Sequence, residues 1–231
     1  MVRQIMAGKA SKSPGLAGNL LLALALTVFI ISAAVVLVLN SKWLYYIDIF
    51  LLGLEKRSGM SADTISANYD ALIRYNQFWY HGDLVFPTLL MSDTGRIHFQ
   101  EVKQIFTVIQ YLCIGSFLVS LIGIIRHGRK RSYTYLRIAG ILALGIPAVL
   151  GILAAVNWEG FFTAFHKLFF RNNYWLFDSR TDPVILILPD EYFMHCAVLI
   201  LLLVLLGSLI CFLTFRHFRR RYAVVRRRRR R

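Results

Sequence analysis

The sequence predicts an α-helical membrane protein, a four-transmembrane-helix bundle with a small mixed, aromatic-rich extracytoplasmic cap. Three observations carry this prediction. Hydrophobic residues make up 57% of the 231-residue chain and charged residues only 17%, more apolar than a water-soluble core of this length needs. Four stretches contain no Asp, Glu, Lys or Arg: Ser13 to Ser41, Gln104 to Ile125, Ile138 to Trp158 and Tyr192 to Phe215. Each is about the length that crosses roughly 30 Å of hydrocarbon as a helix. The segments between them sort their charges by sign.

Along the chain, these stretches give a tail at 1–15, a crossing at 16–40, a first cap segment at 41–101 and a second crossing at 102–125. A basic loop at 126–137 follows, then a crossing at 138–157, a second cap segment at 158–191, a crossing at 192–215 and a basic tail at 216–231. The first apolar stretch invites comparison with a signal peptide, because Arg3, Lys9 and Lys12 precede it and Ser32-Ala33-Ala34 mimics a cleavage site. Its apolar run continues through Val35 to Leu39, longer than a signal core of about 7 to 15 residues, so it reads as an uncleaved anchor. Cys113, Cys196 and Cys211 all fall in apolar runs, which offers no loop pair for a disulfide framework.

Orientation follows from the charges. Four crossings put both tails and the 126–137 loop on one side, which holds 18 of the 27 Lys and Arg residues and none of the 12 acids. The positive-inside rule makes that side cytoplasmic. The +15 net charge would suggest nucleic acid in a soluble protein. Here the Arg226 to Arg231 run directly follows a membrane helix, where attraction to the anionic inner leaflet is the simpler reading and no nucleic-acid partner is expected.

Two segments face outward. In the first, Ile65, Tyr69, Leu72 and Tyr75 recur at helical spacing and predict a short amphipathic helix. The second crowds Trp158, Phe161, Phe162, Phe165, Phe169, Phe170, Tyr174, Trp175 and Phe177 into one stretch. Val184 to Leu188, closed by Pro189, reads as a short buried strand. Aromatic side chains belong at a membrane interface, but this density predicts a lid on the outer leaflet.

The histidines divide by side. His127 and His217 lie among cytoplasmic arginines, whereas His81, His98, His166 and His195 lie outside or at the outer boundary. His98 stands just ahead of the second crossing with Glu101 at i+3 on the same helical face, able to orient the imidazole. His166 follows the third crossing inside the aromatic stretch, so both rings are expected at the junction of cap and membrane. Histidines there are commonly structural. A metal site from His98, His166 and Asp178 or Asp182 is an alternative, although His-x-x-x-His and Cys-x-x-Cys spacings are absent. Covalent catalysis by Cys196 beside His195 is another, disfavoured because adjacent helical residues diverge. A transporter is disfavoured because no crossing carries an acid at its middle or paired Gly/Pro interruptions, Gly145 and Pro147 being a single exception.

Longer motifs are more specific. Phe165-His166-Lys167-Leu168-Phe169-Phe170-Arg171-Asn172-Asn173-Tyr174-Trp175-Leu176-Phe177-Asp178, then Thr181-Asp182-Pro183-Val184-Ile185 and Leu188-Pro189-Asp190-Glu191-Tyr192-Phe193, resemble the signature of the bacterial lipoprotein intramolecular transacylase family. Asn68-Tyr69, Leu72, Tyr75, Met91-Ser92 and His98-Phe99-Gln100-Glu101-Val102-Lys103 resemble its upstream motif, which usually reads His-Met-x-Asp-Val-Lys. Phe99 and Glu101 replace the usual Met and Asp, Ser179 stands where a proline commonly follows Phe-Asp, and Gly95 falls where an acid is frequent. Both histidines are in place.

The resemblance implies an acyltransferase of the bacterial cell membrane. It would move an acyl chain from the glycerol sn-2 ester of a diacylglyceryl lipoprotein to the α-amine of that protein's N-terminal cysteine, leaving a lyso-form lipoprotein. It carries the catalytic pair onto His98 and His166. Glu101, Asn172, Trp175, Asp178, Asp182, Tyr69 and Tyr75 are the candidates for the substrate pocket or its supports. No metal or cofactor is called for, the partners are the lipoprotein substrate and membrane lipids, and the chain is expected to act as a monomer. The rival classes are a membrane protein that binds lipid or a partner without catalysis, and a metal-dependent membrane hydrolase.

Overall fold

A computed structural model of the chain describes residues 15–228. Residues 1–14 of the expected N-terminal tail, with Arg3, Lys9 and Lys12, and the end of the arginine run at 229–231 lie outside the described residues. The described residues form eight α-helices in order: α1 Leu16–Leu39, α2 Lys42–Leu51, α3 Leu54–Ser58, α4 Ala62–Tyr75, α5 Asp93–Arg129, α6 Thr134–Val156, α7 Trp158–Phe169 and α8 Asp190–Arg228. A 3₁₀ turn, Pro183–Leu186, precedes α8.

Helices α1, α5, α6 and α8 are long and apolar enough to cross a membrane. Of the residues in their apolar stretches, the protein itself buries only 39%, 11%, 18% and 17%. Most of their apolar surface therefore needs lipid as its cover. Exposed Val108, Leu112, Phe117 and Leu121 on α5, and Leu202, Leu206, Leu209 and Leu213 on α8, follow from this. The bundle is organised on α1, which packs against α5, α6 and α8, while α6 also packs on α8. Close approach needs small residues: Ala23 and Ala139 share one cluster, and Ala34, Ala143 and Val204 share another. Two side-chain hydroxyls tie the helices together through backbone carbonyls, Thr27 donating to Ala139 O and Ser208 to Gly140 O.

The largest core lies in the cap. It draws Tyr45 and Ile49 from α2, Leu54 from α3, Ile65, Tyr69, Leu72 and Tyr75 from α4, Phe99 from α5, Val184 from the 3₁₀ turn and Ile187 from its exit, and Tyr192 from α8. The four residues that predict the amphipathic helix are thus its buried face. Helix α4 starts where Ser61 accepts a hydrogen bond from Thr64 N, and Asp63 occupies its first turn. Tyr45 stacks on Tyr69, with ring centroids 3.7 Å apart, and donates its hydroxyl to Ile187 O at 2.7 Å. Tyr69 and Tyr192 join hydroxyls at 2.6 Å.

One expectation is corrected. Val184 to Leu188 forms a 3₁₀ turn and its exit, not a strand, and the described residues contain no strand at all. Pro183 sits at the start of the turn, where its fixed φ suits a helical turn and its missing N–H costs nothing. Ile187 N and Leu188 N both donate to Val184 O, so the segment satisfies its backbone locally and needs no partner strand. A short apolar run is compatible with either form, and here burial alone accounts for its composition.

The Tyr45 hydroxyl is a buried tether between α2 and the turn ahead of α8. Tyr45→Phe should cost about 1 kcal/mol, read as a lower thermal midpoint of the detergent-purified protein, with membrane insertion unchanged.

Candidate active site

The site forms where the start of α5, the end of α7 and the loop between α7 and α8 meet. Helix α5 begins at Ser92, whose hydroxyl accepts from Gly95 N at 3.0 Å. Asp182 fixes that start: its Oδ1 accepts from Ser92 N at 2.8 Å and its Oδ2 accepts from the Thr181 hydroxyl at 2.8 Å. The carboxylate is only 3% exposed. His98 follows in the second turn of α5 and is 5% exposed. Helix α7 begins at Asn157, which accepts from Gly160 N at 2.9 Å, and carries Glu159 in its first turn and His166 in its last.

These two elements bring His98 and His166 together, with ring centroids 6.1 Å apart and planes inclined by 31°. Aromatic rings wall the pair. Phe170 lies 4.7 Å from His98 and 5.6 Å from His166, Phe177 is 5.4 Å from His98, and Phe162 and Trp175 are 4.2 Å and 4.7 Å from His166. His166 Nδ1 sits 2.8 Å from Phe162 O. A carbonyl can only accept, so in the neutral ring Nδ1 bears the hydrogen and Nε2 is the bare, basic nitrogen. Burial pushes the His166 pKa below the ordinary histidine value, against the smaller opposing effect of that carbonyl.

The wall also leaves polar atoms without partners. His98 Nδ1, Glu101 Oε2 and Trp175 Nε1 are buried and make no hydrogen bond among the described residues. The other oxygen of Glu101 accepts from Asn172 Nδ2 at 2.9 Å, which ties the α7–α8 loop to α5. Asn172 shapes that loop as well, its Oδ1 accepting from Tyr174 N at 3.0 Å. Buried polar atoms left unpaired are costly in an ordinary core. Three of them are found here, one on His98 itself, one on Trp175 beside His166 and one on Glu101, a turn of α5 beyond His98.

The family model described as lipoprotein intramolecular transacylase Lit matches residues 20–193. The chain belongs to the lipoprotein intramolecular transacylase family. Among solved structures, that of the membrane-integral lipoprotein intramolecular transacylase Lit from Bacillus cereus is 39% identical, with a TM-score of 0.88, covering 90% of this chain and 97% of that one. Two further structures of the Bacillus cereus protein, each with one histidine replaced, by arginine in one and by alanine in the other, are each 38% identical with TM-scores of 0.82. They cover 90% of this chain and 93% and 94% of theirs. No curated protein matches the chain.

This transacylase-family chain is thus a multi-pass integral membrane protein, and its fold sorts the other sequence candidates by place. Trp175 stands against His166, and Glu101, a turn of α5 beyond His98, is bonded to Asn172. Asp178 does not join them: it is ion-paired with Arg180, whose guanidinium holds the Asp178 carboxyl at about 2. Asp182 is spent on Ser92 and Thr181 and acts by holding α5. Tyr69 packs in the cap core, and Tyr75 lies under the Lys103 ammonium, 4.2 Å from the ring centroid, with Tyr80 edge-on. Phe99, the departure from the usual Met, stacks on Phe177 at 5.5 Å, behind His98.

Sequence reasoning missed two features. Phe170 touches both imidazoles but was one aromatic residue among many. His195 does not pair with Cys196; its Nδ1 lies 2.9 Å from both oxygens of the fully buried Asp48 on α2. No local spacing signals that clasp, because Asp48 belongs to a distant part of the chain.

Gly95 completes the packing at the α5 start, where an added Cβ would run into Asp182 Oδ1 and the Phe177 ring. Gly95→Ala should therefore destabilise the cap by roughly 1–3 kcal/mol, and Asp182→Ala by a similar amount through the unsatisfied Ser92 N–H. Both should reduce turnover together with thermal stability, measured on the purified protein.

Proposed function

We propose that this protein moves the sn-2 acyl chain of a diacylglyceryl lipoprotein to the α-amine of the same molecule's N-terminal cysteine, leaving a lyso-form lipoprotein. The observation that carries this reading is the pair of imidazoles 6.1 Å apart in an aromatic enclosure, in a chain of the transacylase family. The charge partition supports a topology with both termini in the cytoplasm and the site on the outer side.

The reaction forms a bond from the amine nitrogen to the ester carbonyl carbon and breaks the bond from that carbon to the glycerol oxygen. The nitrogen must lose a proton and the departing oxygen must gain one. His166 suits the first task, because its Nδ1 is committed to Phe162 O and its Nε2 remains basic. His98 gives one ring proton to the glycerol oxygen and takes up on its other nitrogen the proton that His166 withdrew from the amine, so both rings end as they began. Trp175 Nε1, a donor without a partner, supports the oxyanion of the tetrahedral intermediate. Donor and acceptor belong to one molecule, so attack closes a ring of roughly eight atoms and needs no acyl-enzyme. Closure of that ring is entropically awkward in solution. The rings of Phe162, Phe170, Trp175 and Phe177 confine the headgroup and keep out water that would hydrolyse the ester.

His98→Ala and His166→Ala should each lower the rate of lyso-lipoprotein formation by about 100-fold or more, with the protein still inserted. Mass spectrometry of a reporter lipoprotein, locating each acyl chain, reads the outcome. Near-normal activity in both variants, or release of free fatty acid in place of the N-acyl product, contradicts the proposal.

The acidic limb of kcat supplies a second check. A base must be neutral to accept a proton, and the lowered pKa of His166 keeps it neutral further into acid. The half-maximal point should therefore fall below the ordinary histidine value of about 6.5. A limb at or above that value contradicts the assignment of His166 as base.

A further inference from the structure

An amine that attacks from this pocket has first to be brought into it. The α-amino group of a peptide has a pKa of about 7.7–8.0, so near neutral pH most substrate molecules carry an ammonium. A cation moving from water into a wall of aromatic rings loses its hydration, and it is stable there only against an acceptor, best a charged one.

Three buried atoms at the site lack partners: His98 Nδ1, Trp175 Nε1 and Glu101 Oε2. Trp175 Nε1 can only donate. His98 is reserved by the reaction for the glycerol oxygen. Glu101 Oε2 is a carboxylate oxygen, an acceptor with nothing to accept, and it belongs to the residue three places after His98 on the same face of α5. Its sister oxygen is held by Asn172 Nδ2 at 2.9 Å, which restricts the side chain.

We infer that Glu101 is the seat for the substrate's α-ammonium, with Oε2 receiving the cation and the Asn172 bond to Oε1 holding the carboxylate ready. This rests on the transacylase reading and names how the acceptor amine is recognised. The seat sets the nitrogen beside the imidazoles, where the ammonium gives up two protons: one passes through His166 to solvent and frees the lone pair for attack, and the second is the one that reaches the departing glycerol oxygen. It also distinguishes substrate from product, because acylation turns the ammonium into a neutral amide that a carboxylate holds less well. Product release follows from the same interaction that captures the substrate. The longer Glu, where the family's usual residue is Asp, spans from α5 to Asn172 while leaving one oxygen over.

A purely structural role for Glu101, as the loop's tether, is separable from this one. Glu101→Gln keeps an oxygen for Asn172 Nδ2 but puts a donor where the ammonium would sit. Asn172→Ala removes the tether and keeps the carboxylate. The probe is a cysteinyl lipopeptide whose glycerol carries two ether-linked chains, so it cannot react, prepared with a free or an N-acetylated amine. Binding to the full-length protein in detergent micelles is measured near neutral pH.

Wild type should prefer the free amine by roughly 10- to 100-fold; Glu101→Gln should bind both forms alike, and Asn172→Ala should keep most of the preference. Equal binding of the two forms by wild type, retention of the preference in Glu101→Gln, or its loss in Asn172→Ala to the same extent each overturns the inference. Conversion of an ester-linked reporter by wild type is followed in parallel. Conversion without the preference sinks the ammonium seat alone, and the preference without conversion sinks the transacylase reading.

Discussion

The Asp182 carboxylate is the constraint on which the geometry of the site depends. It is buried, it accepts the first free N–H of α5 through Ser92, and it lies in the segment that joins the aromatic loop to the 3₁₀ turn. One side chain therefore indexes the loop to the helix that carries His98. The Asn172–Glu101 bond repeats the link further along α5 and nearer the start of the loop. Two such ties, at Ser92 and Glu101 and about two and a half turns of α5 apart, hold the loop along the helix, and Phe170 and Phe177 fill the space between. His166 comes from the other direction, at the end of a helix capped by Asn157. The convergence of the imidazoles thus rests on local helix-start chemistry joined by two loop contacts, with His98 carried on the first turns of the membrane-crossing helix α5 and His166 on α7.

Buried polar groups are treated differently in the tyrosine-rich core and around the imidazoles. In the cap core, the hydroxyls of three tyrosines and the amide of Asn68 are matched, Tyr45 to Ile187 O, Tyr69 to Tyr192, and Asn68 to Thr88 through both its amide nitrogen and its oxygen, whereas the side-chain oxygens of Asn76 and Gln77 at the end of α4 are not. Around the imidazoles three buried atoms are unmatched. The matched core supplies rigidity, which a pocket needs if it is to hold unsatisfied groups without collapsing onto them. An aromatic enclosure suits a reaction with both partners in one molecule, since the gain comes from excluding water and restricting the substrate's chain.

Much of this was legible in the sequence, for reasons that differ by element. The four crossings were legible because hydrocarbon excludes charge, which leaves uncharged runs of the right length. Helix α4 was legible because Ile65, Tyr69, Leu72 and Tyr75 share one buried face. The 184–188 run was not, since five apolar residues are equally compatible with a strand and a buried turn, and Pro183 decided between them. His98 and His166 lie far apart in the chain, and no spacing relates them; the family motifs did. Asp178 and Asp182 look alike in sequence, yet one pairs with Arg180 at the surface and the other is buried beneath α5. That difference is set by the turn at 178–182, where Asp182 N donates to Asp178 O at 2.7 Å. Tyr69 and Tyr75 sit in the family's motif because the cap core needs them, a role that motif position alone does not reveal.

The central claim is that two imidazoles in one enclosure move an acyl chain within a single substrate molecule, with no acylated enzyme between. A crossover experiment tests this most directly. Two lipoproteins of different mass are mixed, only one carrying an isotopically labelled sn-2 chain, and the N-acyl products are resolved by mass. The account predicts that the label remains wholly on the protein that brought it. Labelled chains on the second protein, in proportion to its share of the mixture, would mean a free acyl carrier and would contradict it.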